Sequence, residues 1–470
     1  MPALRIVVIG AGIAGLTAAY DLARTAPPGS EVLVLEGSRR VGGKLRVSEV
    51  AGVALDEGAE AALARVPDVL DLMAELGLAA DVVHPATTTA SIALDGALHP
   101  VPAGTLLGVP TDVGGLHGSG LFTAAGLAAV AADLARPGPT VSDDVSVGAL
   151  IRDRLGAEVL DRLVEPLLGG VYAGRADLLS VQATMPALAT QLRTHGSVVE
   201  AARAARAAAP PSSGPVFASL PGGLGRLAGV LAATPGLTVR TSLTVRELAR
   251  TGSGFRLVAG PMPDPTVLTA DAVVVAVPPA KAAPLLRQVV PFAATELAAI
   301  GSASMAVVTL AVPRQPFPAG SGLLVAAGPG AGAVKAVTLS SQKWAHLDTG
   351  EHVFLRASIG RRGEEAVLQR DDAELVSLVC GELRELVGLT GVPVDSRVTR
   401  WGGGLPQYDV GHVARVERIR ATVSAVPGLA VCGAAYEGVG VAACIRGARH
   451  AAHAIRVNGR AEFAGGWRDD

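Results

Sequence analysis

The alternation of apolar and polar positions divides the chain into strand-like and helix-like stretches from its first residues. Residues 4–9 (LRIVVI) form a short, unbroken, β-branched apolar run, the pattern of a parallel strand buried on both faces. Residues 13–26 have helical spacing, the Pro27-Pro28-Gly29-Ser30 break follows, and residues 31–35 are a second buried strand ending at Glu36. Residues 51–58 read as a strand and turn, and residues 67–78 as an amphipathic helix with proline at its start. A hairpin around Asp95-Gly96 then opens a mostly helical stretch with loops at Pro110, Pro137-Gly138-Pro139 and Pro210-Pro211-Ser212-Ser213-Gly214. Within that stretch, residues 147–168 read as a pair of amphipathic helices ending in Gly169-Gly170.

The pattern changes again at Phe217. A glycine turn (Pro221-Gly222-Gly223-Leu224-Gly225) precedes a helix, and extended segments follow at 238–240, 241–248 and 255–258. Residues 271–277 (DAVVVAV) are a buried strand closed by Pro278-Pro279. Strand alternation then returns at 304–313, 322–326, 335–340 and 352–359, interrupted by a helix near 373–389. The chain ends with a strand at 429–432, a loop at 433–440 and a helix at 441–455. The class is therefore α/β: a nucleotide-binding domain built from residues 1–85, 216–295 and 421–470, a helical domain over 86–215, and a mixed-sheet domain over 296–420.

The first strand, helix and second strand carry Gly10-x-Gly12-x-x-Gly15 in their first turn. Gly10 makes the tight turn, Gly12 lets backbone approach a pyrophosphate, and Gly15 lets helix and strand pack closely. The N–H groups of Ile13 and Ala14 open the helix, where a phosphate is favoured. Glu36 stands where an acid accepts hydrogen bonds from a ribose. The motif continues through Gly37 and Arg40 into Gly42-Gly43-Lys44, a second glycine pair able to lie against pyrophosphate, with Arg40 to supply charge.

Composition narrows the function classes. The 470 residues carry a formal net charge of −2, which excludes a basic footprint for nucleic acid. The three cysteines, Cys380, Cys432 and Cys444, form no CxxC pair, so a reducing, cytoplasmic setting with buried thiols is expected. His450 and His453 sit three apart on a helix, but no carboxylate or thiolate pattern accompanies them, and no metal is expected. The uncharged stretch 113–132 approaches a membrane span in length, but its five glycines and His117 argue for a soluble segment with at most peripheral membrane contact.

The block around Gly10–Lys44 resembles the FAD-binding signature of the flavin amine oxidase superfamily. Four further blocks resemble the bacterial porphyrinogen oxidases of haem synthesis, the coproporphyrinogen III and protoporphyrinogen oxidases, in their actinobacterial form. They are RLVEPLLGGVYAG at 162–174, SLPGGLGRL at 219–227, LPQYDVGH at 405–412 and GAAYEGVG at 433–440. The resemblance implies a p-hydroxybenzoate-hydroxylase-like arrangement, with an FAD-binding Rossmann-like domain, a mixed-sheet substrate domain and a helical domain like the family's membrane-docking part. It implies non-covalent FAD, held by the residues above together with Val245, Gly433, Gly440 and Val441. It implies a six-electron oxidation of coproporphyrinogen III with O2 as acceptor and H2O2 as product, the flavin itself carrying the hydride and no catalytic side chain singled out. Later haem-synthesis enzymes would be partners. Gly170, Tyr172, Gly174 and Arg175 match a stretch that lines the family's substrate cavity.

This sequence departs from that family's pattern in places. Asp56-Glu57-Gly58-Ala59-Glu60 replaces a usual Glu-x-Gly-Pro-Asp, Thr89 stands nearest to an arginine found ahead of the hairpin in many members, and Arg175 replaces an aspartate. These changes touch the propionate-binding residues. Protoporphyrinogen IX oxidation, an amine oxidase using Lys335 or Lys343 beside the flavin, and a non-catalytic porphyrin carrier stay open as alternatives. Only 3% of residues are aromatic, a poor supply for an amine cage.

Overall fold

The structure, a computed structural model, describes residues 3–136, 143–209, 214–328 and 331–464, the last eight by backbone alone. The loops expected at Pro137-Gly138-Pro139 and Pro210-Pro211-Ser212-Ser213 lie outside the described residues.

Five parallel strands make the first sheet: β1 (Arg5–Ile9), β2 (Glu31–Leu35), β3 (Leu237–Arg240), β4 (Ala272–Val275) and β5 (Leu429–Val431), in the order β3-β2-β1-β4-β5. Val7 lies between Leu33 and Val273 across the sheet. The unbroken apolar runs follow from burial on both faces. One face packs against α1 (Ile13–Thr25) and the C-terminal helix Val441–Ala464, through Leu16, Leu22, Ile445 and Ala448. The other packs against Phe255 and Leu257 of a three-stranded antiparallel layer and against Leu286, Leu297 and Ile419 of the helices beyond it. Three distant parts of the chain thus contribute to one sheet.

The second sheet has seven strands, in the order Asp395–Pro406, Ser302–Pro313, His352–Ile359, Val334–Leu339, Gly322–Val325, Ala90–Leu94 and Ala97–Pro100. Its pairs are antiparallel except for Gly322–Val325 with Ala90–Leu94. Two features differ from the sequence reading. The hairpin at 90–100 joins this sheet instead of standing with the helices that follow it, because a two-stranded hairpin with one apolar face needs a partner to be stable. The long edge strand Asp395–Pro406 is the second addition. The helix Asp372–Val387 covers one face, started by a capping box in which Asp371 and Glu374 satisfy each other's backbone N–H groups.

The helical part contains Val147–Leu155, Ala157–Val159, a π-helical turn Leu160–Val164 and the helix Glu165–Tyr172. The expected end at Gly169-Gly170 is corrected: the helix runs through both glycines and stops at Ala173, whose φ is 47°. Gly170 and Tyr172 are therefore helical, and only Ala173-Gly174 forms the turn. A mid-helix glycine costs about 1 kcal/mol, and burial of Leu168 and Tyr172 on the same helix offsets it. The uncharged stretch 113–132 is broken into a 3-10 turn, Gly114–Leu116, and the short helix Ala124–Asp133. Asp133 is buried and accepts hydrogen bonds from Arg154 Nε (2.6 Å) and Ser197 Oγ (2.7 Å). No helix among the described residues is long and apolar enough to cross a membrane.

Candidate cofactor and substrate site

The glycines after β1 are fixed by what a side chain would strike. A Cβ on Gly15 would lie 1.9 Å from Gly10 O, so only glycine lets α1 pack against the turn. Gly10 has φ +105°, and a Cβ there would meet Ala276 O at 2.8 Å. At Gly12 the surroundings are open, the nearest atom being Gly43 Cα at 4.0 Å. Gly12 caps α1 with no side chain bonded to its first N–H groups, which leaves those donors for a ligand.

The second glycine stretch lies directly against the first. Gly42 N donates to Ala11 O at 2.7 Å, and Gly12 and Gly42 form a parallel bridge. Arg40 donates to Val41 O and Gly43 O, so its guanidinium organises this backbone while keeping positive charge beside it. Burial, and then Arg46 nearby, pull the Arg40 pKa below its ordinary value. Glu36 Oε2 accepts from Ala11 N and Oε1 from Ser38 N, both at 2.8 Å. Leu243 N donates to Glu36 O, and Thr244 lies against Gly37, which brings the buried Val245 to the Glu36 end of the site.

At the other end, the loop after β5 leads to the C-terminal helix. β1 and β5 run parallel in one sheet, so α1 and this helix both start beyond the carboxyl ends of the strands, where open α/β sheets bind ligands. A Cβ on Gly433 or Gly440 would meet no atom within 4 Å. Val441 starts the helix, with no acid in its first turn. Lys44 is half-buried beside Cys444 on that first turn, and burial lowers its pKa. The uncapped α1 N-terminus, the paired glycine stretches, Glu36 and the open backbone at Gly433 and Gly440 fit FAD.

The four expected substrate-side residues lie close together in the chain but differ in surroundings. Gly170 faces Leu324 of the second sheet, where a Cβ would sit 3.4 Å from its Cδ2. Tyr172 is buried, which pushes its phenol up to about 12. Its carbonyl accepts from Gln407 Nε2 at 2.8 Å, and Gly174 packs against the Gln407 amide oxygen. Arg175 points outward and pairs with Glu364 at 2.9 Å, its side chain 49% exposed.

The sequence reading gave no role to Gln407, Tyr408 or His412, although it drew on their block. The Tyr172 and Tyr408 rings lie 5.6 Å apart, and Tyr408 stacks on His412 at 4.0 Å. Tyr408 and His412 reach the backbone of the 433–440 loop. Three of the sequence blocks at 162–174, 405–412 and 433–440 therefore converge here. The available signal was economy: three of only four tyrosines in the chain stand in these blocks.

The divergent stretch 56–60 ties the first sheet's domain to the second sheet. Glu60 accepts from Lys343 Nζ at 2.5 Å and from Arg356. Burial alone would raise the Glu60 pKa, but Arg356 and Lys343 outweigh it and hold the carboxyl at about 2. Asp56 is pushed up to about 7 by burial, against the pull of the Leu224 N–H. Of the two lysines considered for an amine-oxidase role, Lys343 is thus engaged by Glu60. Lys335 is 3% exposed, has no hydrogen-bond partner among the described residues, and is lowered to about 7 by burial. His450 meets the Glu437 carboxylate at 2.8 Å, and no three metal-ligating side chains gather among the described residues.

The sequence matches the family described as flavin containing amine oxidoreductase over residues 13–456. It is 38% identical to the coproporphyrinogen III oxidase of Mycobacterium tuberculosis (strain ATCC 25618 / H37Rv), over 95% of this chain and 96% of that protein. It is 32% identical to the coproporphyrinogen III oxidase of Bacillus subtilis (strain 168), over 94% and 95% of the two chains. A crystal structure from Exiguobacterium sp. 255-15 that carries the provisional name protoporphyrinogen oxidase is similar with a TM-score of 0.85 and 31% identity, over 97% of this chain and 99% of that one.

Proposed function

The chain belongs to the flavin-containing amine oxidoreductases and, within them, to the bacterial coproporphyrinogen III oxidases, and from that membership we propose that it oxidises coproporphyrinogen III to coproporphyrin III in haem synthesis. Bound FAD supplies the hydride acceptor, and O2 carries the electrons away as H2O2, one O2 for each pair of the six electrons removed. The chain's own residues bind and orient. The Gly12 and Gly43 backbones and the α1 N-terminus hold the pyrophosphate, Glu36 holds the ribose, and Val245 lies at the same end. The helix starting at Gly440-Val441 offers free N–H groups and a positive dipole to the flavin edge that gains negative charge on reduction.

The observation that carries the substrate reading is near-full-length identity to two relatives of that name. Charge supports it. Coproporphyrinogen brings four propionates, and a buried carboxylate without a partner is very costly. Arg175 is our candidate cation: its ion pair with Glu364 is half exposed, so exchanging that partner for a propionate costs little. We also propose that the domains divide at 85, 215, 295 and 420, with the 90–100 hairpin counted with the second sheet. The location we propose is the cytoplasm, with at most peripheral membrane contact through 113–132.

The test is to feed coproporphyrinogen III in air to the purified yellow protein. Porphyrin fluorescence should rise with three O2 consumed per porphyrin formed. Fluorescence that grows no faster than in the protein-free control would overturn the assignment and leave a carrier.

A further inference from the structure

Gln407 to His412 joins the edge strand Asp395–Pro406 to the helix His412–Ser424, and two of its side chains grip the loop that precedes the C-terminal helix. Tyr408 Oη donates to Ala434 O at 2.5 Å. His412 Nε2 lies 3.0 Å from Ala435 O, so Nε2 must carry the proton, and the buried Nδ1 is left as a bare acceptor without a partner. The rings stack with planes 16° apart, and both residues are at most 3% exposed. Consecutive carbonyls are therefore held from one side by one rigid stack.

A trans peptide is planar, with its N–H opposite its carbonyl. Fixing the Ala434 and Ala435 carbonyls toward the stack therefore turns the Ala435 and Tyr436 N–H groups away from it. Tyr436 N closes a turn onto Gly433 O at 3.2 Å. Ala435 N has no hydrogen-bond partner among the described residues, in a loop whose Gly433 and Gly440 leave open space. A backbone donor oriented this firmly and left unpaired has the character of a ligand contact.

We propose that Tyr408 and His412 are positioning residues for the flavin: they set the peptides of residues 434–436 so that the Ala435 N–H meets FAD. The inference rests on the FAD reading and is independent of which porphyrinogen is oxidised. Tyr408 also touches Tyr172 on the substrate side, so the same ring spans the two halves of the site.

The test uses the full chain, with FAD titrated into apoprotein. Tyr408→Phe keeps the ring stack and removes one donor, His412→Leu removes the other, and His412→Gln returns an amide N–H near the Nε2 position. The expected result is FAD affinity lowered about 3- to 10-fold in Tyr408→Phe and His412→Leu, as for one lost net hydrogen bond. The flavin absorption bands and midpoint potential should shift with it, and His412→Gln should recover most of each change. Wild-type FAD affinity, spectrum and potential in both Tyr408→Phe and His412→Leu would overturn the proposal, whatever happens to their melting temperatures. Failure to oxidise coproporphyrinogen would instead bear on the substrate reading alone.

Discussion

Among the described residues, Gly12 has no neighbouring atom closer than 4.0 Å to where a side chain would begin, which is the space the proposed pyrophosphate site needs. Gly12→Val should fill the pyrophosphate position and give a folded, colourless protein. Purification with saturating FAD and a scan at the flavin bands checks this, and a yellow Gly12→Val protein would contradict it. Besides the ribose contact proposed for it, the Glu36 carboxylate ties Ala11 N and Ser38 N together. Glu36→Ala should therefore weaken FAD binding by about 1.5–3 kcal/mol, measured by titration of apoprotein. In wild type and in Glu36→Ala, acid precipitation should release all flavin into the supernatant, the outcome expected of non-covalent FAD. Glu60 gives a pH prediction. Its carboxyl is held at about 2 against an ordinary 4.5, so its stabilisation is complete above 4.5 and is lost as pH falls from there through 2. The contribution is on the order of 3 kcal/mol. Plotted against pH, the melting temperature of wild type should fall more steeply between 5 and 2 than that of Glu60→Gln, and parallel curves would count against the ion-pair account.

At the scale of elements, the nucleotide-binding unit was legible because each signal there is local. An unbroken β-branched run, a glycine turn and a proline break each state one element, and β1, α1 and β2 follow the pattern closely. The helix through Gly169-Gly170 was not legible, because glycine propensity argues for a stop and only packing around Leu168 and Tyr172 overrides it. The hairpin at 90–100 was visible as a hairpin, but its partner strand Gly322–Val325 lies over 200 residues away, and no local pattern names a partner at that distance. The same limit hid the Tyr408–His412 grip, which depends on a loop beginning 21 residues beyond His412. Arg175 was legible as a charge in the right block, yet its pairing with Glu364 belongs to another element.

At the scale of the whole molecule, the second sheet meets the first sheet's domain through an apolar cluster of Val50, Leu55, Trp344 and Phe354 and through several polar joints. The Glu60 carboxylate receives Lys343 and Arg356, and the Tyr172–Tyr408–His412 stack reaches the 433–440 loop. In the proposed reaction those joints would keep the substrate side against the cofactor side, as hydride transfer between two bound molecules requires. The proposed substrate of this architecture is a porphyrinogen with four propionates. The most direct test is kcat/KM for coproporphyrinogen III and protoporphyrinogen IX under identical aerobic conditions, with H2O2 measured alongside porphyrin. A clear preference for coproporphyrinogen III that weakens as salt is raised is expected, because cation–propionate attraction is screened. Protoporphyrinogen IX oxidised at least as efficiently would contradict it.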